Sequence, residues 1–208
     1  PFFLGITLGA MILGDIPPDN AGSFSERFIL PWFNLFCVAM GLFTIAIFGY
    51  IAAVFLTGEA KNTPEQRKYS RLSKIFLSST FAMGLLVFLS AEYNNRHLLA
   101  DFFGSVLCII SFSLVILLIP VIFYLVNHPK TIYLRIAIGA QVALIIFGWF
   151  AMQFPVIIFE KGGTHLTFYN TQAPYATLYQ LFIALIVGLI LIVPCFYFLF
   201  KVFKGSDE

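Results

Sequence analysis

The charged residues of this 208-residue chain are confined to short segments, and this segregation constrains the fold more than any other feature. Five stretches contain no Asp, Glu, Lys or Arg, namely residues 28–58, 75–91, 102–129, 136–159 and 162–200. A helix of roughly 20 apolar residues, rising about 1.5 Å per residue, crosses the roughly 30 Å hydrocarbon core of a bilayer. Membrane β-barrels instead show alternating segments of roughly ten residues. The sequence therefore predicts an all-α polytopic transmembrane bundle.

Six membrane spans are predicted, at residues 2–14, 28–56, 75–91, 102–126, 134–159 and 175–200. Pro31 is expected in the first turn of the second span. The last span has the clearest limits, because Pro174 can start its helix and Lys201 and Lys204 follow its apolar run. Pro194 is expected to bend the last third of that helix.

The first span has about 13 residues, too few for a crossing, and the chain begins with Pro inside an apolar run. We therefore expect that these 208 residues are the C-terminal two thirds of a longer chain and form a single transmembrane bundle. Residues 59–74, the longest polar stretch, are predicted as a cytoplasmic loop with a helical part after Pro64.

The distribution of Lys and Arg predicts the orientation, because these residues are more frequent in cytoplasmic loops. The segments assigned to the inside hold nine of them: Lys61, Arg67, Lys68, Arg71, Lys74, Lys130, Arg135, Lys201 and Lys204. The segments assigned to the outside hold three: Arg27, Arg96 and Lys161. The count places the C-terminus in the cytoplasm of a multi-pass protein.

Two pairs of small residues are candidate helix-packing positions. Gly5 and Gly9 form a GxxxG pattern in the first span, and Ala184 and Gly188 are four residues apart in the last. Small residues at this spacing let two membrane helices approach closely. We expect both faces to pack against other helices.

Few residues offer chemistry within the spans. Glu59, Glu92 and Asp101 lie at span borders, where they are either solvated carboxylates or guides for protons. Ten polar residues enter the spans and either form interhelical hydrogen bonds or line a transport path; they are Asn34, Ser78, Ser79, Thr80, Ser90, Ser111, Ser113, Gln141, Gln153 and Gln180. No catalytic residue is assigned.

A haem within the membrane would normally need an intramembrane His, with Met or Cys as a second ligand. His97, His128 and His165 all lie in or beside loops, and none has metal-ligand spacing with another. The chain is therefore predicted to bind no metal and no cofactor. Its net charge of +2 does not indicate nucleic acid, and its 26 Phe residues are expected to face membrane lipids or packed helices, where a quinone tail could also lie.

Three blocks of sequence resemble subunit II of the bacterial cytochrome bd-type quinol oxidases, beginning near the fourth helix of that subunit. The first block is Phe3-Leu-Gly5-Ile-Thr-Leu-Gly9 with Gly14, Ile16 and Pro17; the second is Leu30-Pro31 with Phe33, Gly41-Leu42 and Phe55-Leu56-Thr57-Gly58-Glu59; the third is Thr167-Phe168-Tyr169-Asn170, Ala173-Pro174, Thr177-Leu178, Gly188, Pro194, Tyr197 and Phe203-Lys204. The chain departs from the family at Ala10, where Asn is frequent, and at Ile51-Ala52, where a His-Gly pair is common.

The resemblance implies a haem-free subunit that supports the assembly and stability of a haem-bearing subunit I in the bacterial inner membrane. That partner is expected to meet helix faces such as Gly5/Gly9 and Ala184/Gly188 and to carry haem b and haem d. Quinol is then the substrate of the complex, which reduces O₂ to water. Two other readings stay open from the residues alone. One is a cofactor-free transporter or permease fragment, and the other is a purely structural membrane assembly factor.

Overall fold

The computed structural model describes residues 1–17, 23–60, 62–126, 131–162 and 165–204. The chain divides into two compact units, Pro1–Phe168 and Tyr169–Glu208. In chain order the elements are α1 (Phe2–Leu13), α2 (Phe24–Phe28), α3 (Leu35–Glu59), α4 (Thr63–Tyr93), α5 (Leu98–Gly104), α6 (Val106–Val126), α7 (Thr131–Gln153), β1 (Val156–Ile158), β2 (Leu166–Thr167) and α8 (Tyr175–Lys204).

The predicted class, an all-α transmembrane bundle, is confirmed. Among the described residues, five helices are long and apolar enough to cross a membrane: Leu35–Glu59, Thr63–Tyr93, Val106–Val126, Ile132–Gln153 and Tyr175–Leu199. The first predicted span is also helical, but Phe2–Leu13 has only 12 residues. Helices α6 and α8 continue through Pro120 and Pro194, and the bend at Pro194 stays a prediction.

The start of α3 differs from the prediction. We expected Pro31 in the first turn of a helix from residue 28, whereas α3 begins at Leu35. The side chain of Asn34 caps it, because its Oδ1 accepts a hydrogen bond from the Cys37 amide at 2.8 Å. Pro31 therefore lies in the turn between α2 and α3.

The predicted loop 59–74 is mostly helix. Helix α3 ends at Glu59 and α4 begins at Thr63, with Pro64 in its first turn, where the missing N–H of proline costs no helical hydrogen bond. The helical part expected after Pro64 is thus continuous with the membrane span and reaches Tyr93. Lys61 lies outside the described residues, as do Pro18 and Asp19 of the first loop and the turn His128, Pro129 and Lys130.

Two further features were not predicted: a break between α5 and α6, and a hairpin after α7. At the break, Ser105 has an extended conformation and separates the short α5 from α6, so the predicted span 102–126 is divided. After α7, the antiparallel strands β1 and β2 pair Val156 with Thr167. Predicted span 134–159 therefore ends as a helix at Gln153.

Helix α3 lies at the centre of the first unit and contributes to both of its buried clusters. One cluster joins α1, α3 and α4 through residues such as Ile12, Phe36 and Val87. The other joins α3, α6 and α7 through Val54, Ile122 and Ile138. Helix α3 thus connects the other long helices of this unit.

The glycines of α1 lie directly against α3. A Cβ atom at Gly5 would lie 2.5 Å from the Met40 carbonyl oxygen and 2.7 Å from the Gly41 Cα, and one at Gly9 would lie 3.0 Å from the Cys37 Cα. Only a hydrogen fits in place of a side chain at Gly5, because the Met40 carbonyl oxygen and the Gly41 Cα belong to the backbone of α3 and cannot easily move. The Gly5/Gly9 face is therefore occupied by α3 within this chain, whereas the family resemblance implied a contact of this face with a partner subunit.

The second unit contains α8, on which Ala184 and Gly188 are four residues apart. Within this unit, a Cβ at Gly188 would meet no atom within 4 Å. The role of this pair in helix packing stays a prediction.

The Gly5 contact predicts that Gly5→Ala destabilises the protein. One methyl group must displace the α3 backbone, and overpacking of this kind costs about 1–3 kcal/mol. We expect a lower midpoint of thermal unfolding in detergent. Gly139→Ala in α7 is the matched control, because its Cβ would meet no atom within 4 Å and its midpoint should not fall. Equal midpoints for Gly5→Ala and the wild type would contradict the contact.

Candidate functional site

Each of the three border carboxylates contacts a basic side chain near a helix end. Glu59, the last residue of α3, pairs with Arg135 near the start of α7. Glu92 Oε2 lies 3.0 Å from His97 Nδ1, and Asp101 Oδ2 lies 3.0 Å from Arg96 Nη1. Glu92 in the last turn of α4 and Asp101 in α5 flank the connection between these two helices. Glu59 lies next to the opposite end of α4. The carboxylates therefore do not form one site.

Arg96 is the centre of the contacts at one end of the first unit. Besides its pairing with Asp101, its Nε donates to the Ile12 carbonyl at 3.2 Å, and its guanidinium lies 4.1 Å from the centroid of the Phe159 ring. The Phe159 amide donates to the Met11 carbonyl at 2.9 Å. These bonds satisfy carbonyls of the last turn of α1, which have no partner within the helix. From the sequence, Arg96 was assigned only to an outer segment. Its partners Ile12 and Phe159 are far from it along the chain, so no local sequence pattern indicates these contacts.

A buried polar group joins three helices near the middle of the first unit. The Tyr50 hydroxyl of α3 donates to Gln141 Oε1 of α7 at 3.2 Å, and Gln141 Nε2 donates to the Val115 carbonyl of α6 at 3.4 Å. Tyr50 is 5% exposed and Gln141 3%. Gln141 is one of the ten polar span residues for which the sequence indicated an interhelical hydrogen bond or a transport path. Tyr50 was not identified, because an aromatic residue is common in apolar helices and does not by itself indicate a hydrogen bond.

Other polar side chains in the spans bond to the backbone of their own helix. Thr44, Thr57 and Thr80 each donate to the carbonyl four residues earlier at 2.8 Å. Among the described side chains, no buried nitrogen or oxygen lacks a hydrogen-bond partner. These hydroxyl groups are thus engaged within the helices and do not form a polar path.

Neither of the two described histidines, His97 and His165, lies within a membrane-spanning helix. His97 is engaged with Glu92 at the end of α4, and His165 accepts a hydrogen bond from the Glu160 amide at 3.4 Å. His128 lies outside the described residues. Within the described ranges, no three His, Cys, Asp or Glu side chains are grouped so that they could hold a metal ion.

An apolar cavity of about 510 Å³ lies between α6 and α7. Leu118 and Val121 of α6 and Ile136 and Ala140 of α7 line it, with Tyr124 and Tyr133 among the remaining lining residues. This lining includes no His, carboxylate, Lys or Arg. It offers mainly apolar contact, with the phenol groups of Tyr124 and Tyr133 as the polar side chains of the lining.

Comparison with known proteins places this architecture in a family. Residues 1–203 match the sequence profile of the family described as "Cytochrome bd terminal oxidase subunit II". No curated protein sequence matches the chain.

One solved structure with the same fold is "The structure of bd oxidase from Geobacillus thermodenitrificans", with a TM-score of 0.73 and 20% sequence identity. The match covers 100% of this chain and 62% of that chain. This chain therefore spans less than two thirds of the matched one, and at such identity the likeness shows a shared fold. The profile match confirms the resemblance that the three sequence blocks indicated: the chain belongs to the cytochrome bd terminal oxidase subunit II family.

Proposed function

We propose that this chain acts as the haem-free membrane subunit of a cytochrome bd-type quinol:O₂ oxidoreductase. Its role is to support the assembly and stability of a haem-bearing subunit I, on which haem b and haem d reside. Quinol is the substrate of the whole complex, which reduces O₂ to water. The observation that carries this proposal is the family match over residues 1–203.

The chemistry of the described side chains supports a packing role. Glu59 and Asp101 pair with arginines, Glu92 contacts His97, the buried Gln141 pairs with Tyr50, and the span threonines bond to their own helices. Such groups stabilise helices without offering a ligand to haem iron. We therefore propose that no catalytic residue and no haem ligand lies in this chain.

A cofactor-free transporter is less well supported. A transport path needs polar side chains that face a shared opening, and the cavity between α6 and α7 is lined mainly by apolar residues. The family match also does not favour this reading.

We propose the bacterial inner membrane as the location of this chain, and the arrangement of its helix ends supports a multi-pass topology. The Glu59–Arg135 pair joins the end of α3 to the start of α7, and Arg96 joins the end of α1 to the residues after α4 and α7. Alternating crossings bring these ends together. With nine Lys and Arg assigned inside and three outside, the end that holds Glu59 is proposed to be cytoplasmic, as is the C-terminus.

Co-purification tests the main proposal. The full-length protein, purified from its native membrane, should bring with it a larger subunit that gives haem b and haem d bands in a reduced-minus-oxidised spectrum. The same chain separated from that subunit should be colourless. A colourless homo-oligomer from the native membrane would contradict the oxidase proposal, and haem bands from the isolated chain would contradict its haem-free role.

The Glu59–Arg135 pair provides a second test, because a structural pair and a proton guide respond differently to reversal. Glu59→Arg and Arg135→Glu should each lower the yield of assembled complex, since each leaves two like charges side by side. The double variant should restore the yield and keep oxidase activity per haem near the wild-type value. Restored assembly with an activity loss of tenfold or more would assign proton chemistry to Glu59.

The Ala184/Gly188 face of α8 provides a third test. Gly188→Leu should weaken helix docking and reduce the haem-bearing subunit that co-purifies, because a bulky side chain fills the notch that small residues leave. Ile190→Phe, about 200° further around the same helix, is the control for added volume and should assemble normally. Unchanged assembly in Gly188→Leu would mean that the notch faces lipid.

A further inference from the structure

Helix α4 is longer than its membrane-spanning part. It runs for 31 residues from Thr63 to Tyr93, but its charge-free run begins only at Ile75. The preceding 12 helical residues carry four exposed cations, which we call the basic face of α4: Arg67, Lys68, Arg71 and Lys74. Glu65 is the single acidic residue of this extension, so its net charge is four minus one, or +3.

The basic face continues into an exposed apolar face of the same helix. Residues three or four apart lie on one side of a helix, which places Arg67, Arg71 and Lys74 in line with residues 78, 81, 85 and 89. Leu85 is 63% exposed and Leu89 59%. The cations therefore precede, along the same side of α4, an exposed apolar surface of the kind that faces lipid in membrane helices.

No ion pair between these cations and a carboxylate is present among the described residues. In the described part of the chain, Arg96 and Arg135 form ion pairs, whereas no ion pair involves the basic face of α4. The closest aromatic contact is made by Lys74, whose Nζ lies 6.0 Å from the centroid of the Phe123 ring of α6. The extension thus presents uncompensated positive charge beside the apolar span.

The height of the basic face matches the polar layer of a membrane. Arg67 and Lys74 are seven positions apart, which corresponds to about 10 Å along the helix axis. The headgroup region adds roughly 5–8 Å on each side of the hydrocarbon core, and the Debye length at physiological salt is about 8 Å. All four cations therefore lie within electrostatic reach of lipid phosphates.

We propose that the basic face of α4 binds the headgroups of anionic phospholipids. Charge complementarity and the adjoining apolar face identify this ligand, because clustered Lys and Arg next to a membrane span attract anionic lipid headgroups. The inference requires that α4 spans the membrane, and it does not depend on the proposed oxidase role.

Electron spin resonance of the full complex in lipid nanodiscs tests this inference. Spin-labelled phosphatidylglycerol and phosphatidylcholine probes report the fraction of lipid that is motionally restricted by the protein. We expect a preference of roughly fivefold for the anionic probe, and its decline as salt rises from 0.05 M to 0.5 M, because salt screens exposed charges. Equal restriction of the two probes by the wild type would overturn the proposal.

Substitutions locate the effect on the helix. The variant R67Q/K68Q/R71Q should lose most of the preference, and the charge-conserving R67K/R71K should keep it. The control R27Q/K161Q removes two cations near the other end of the bundle and should also keep it. Lys74 is left unchanged because it contacts Phe123. A triple variant that retains the wild-type preference would overturn the assignment, as would an equal loss in the control.

Discussion

The close approach of α1 to α3 is the contact on which the first unit depends. In a bilayer, helices gain little from excluding water, so their association relies on close packing of small residues. Gly5 and Gly9 bring the two backbones together, while Phe2 of α1 fills the space at Gly41 and Phe76 of α4 fills the space at Gly49. Gly41 and Gly49 of α3 are thus each covered by an aromatic ring, one from α1 and one from α4. A helix with larger side chains at these positions could not pack against both.

A second requirement is that every backbone polar group in or near the membrane finds a partner. Asn34 meets this requirement at the start of α3, and Arg96 together with the Phe159 amide meets it at the end of α1. The partners at α1 come from the connection after α4 and from the hairpin after α7. Satisfying the end of one short helix therefore fixes two connections that are remote from it in sequence, and gives the hairpin a structural role.

The fold class and the approximate positions of the spans could be predicted from the sequence. Charged residues are costly in the hydrocarbon core, so a long run without them indicates a helix segment within the membrane. Helix limits were harder to predict, since α3 begins where Asn34 caps it and α4 extends beyond its apolar part. The border positions of Glu59, Glu92 and Asp101 could be read from the sequence, but their ion-pair partners could not. Arg96 and the Ile12 carbonyl are 84 residues apart, and Tyr50 and Gln141 are 91 apart. Such contacts depend on how the helices are arranged, which a local pattern does not encode.

The amide of Gln141 has a mechanical consequence. It accepts a hydrogen bond from α3 with its oxygen and donates one to α6 with its nitrogen, so two neighbours hold a single side chain of α7. Sliding α7 by one residue would move this amide about 1.5 Å along the helix axis, which would break both bonds together. One side chain of α7 therefore links three helices, and a shift of α7 along its axis would have to be accommodated by α3 and α6 at the same time.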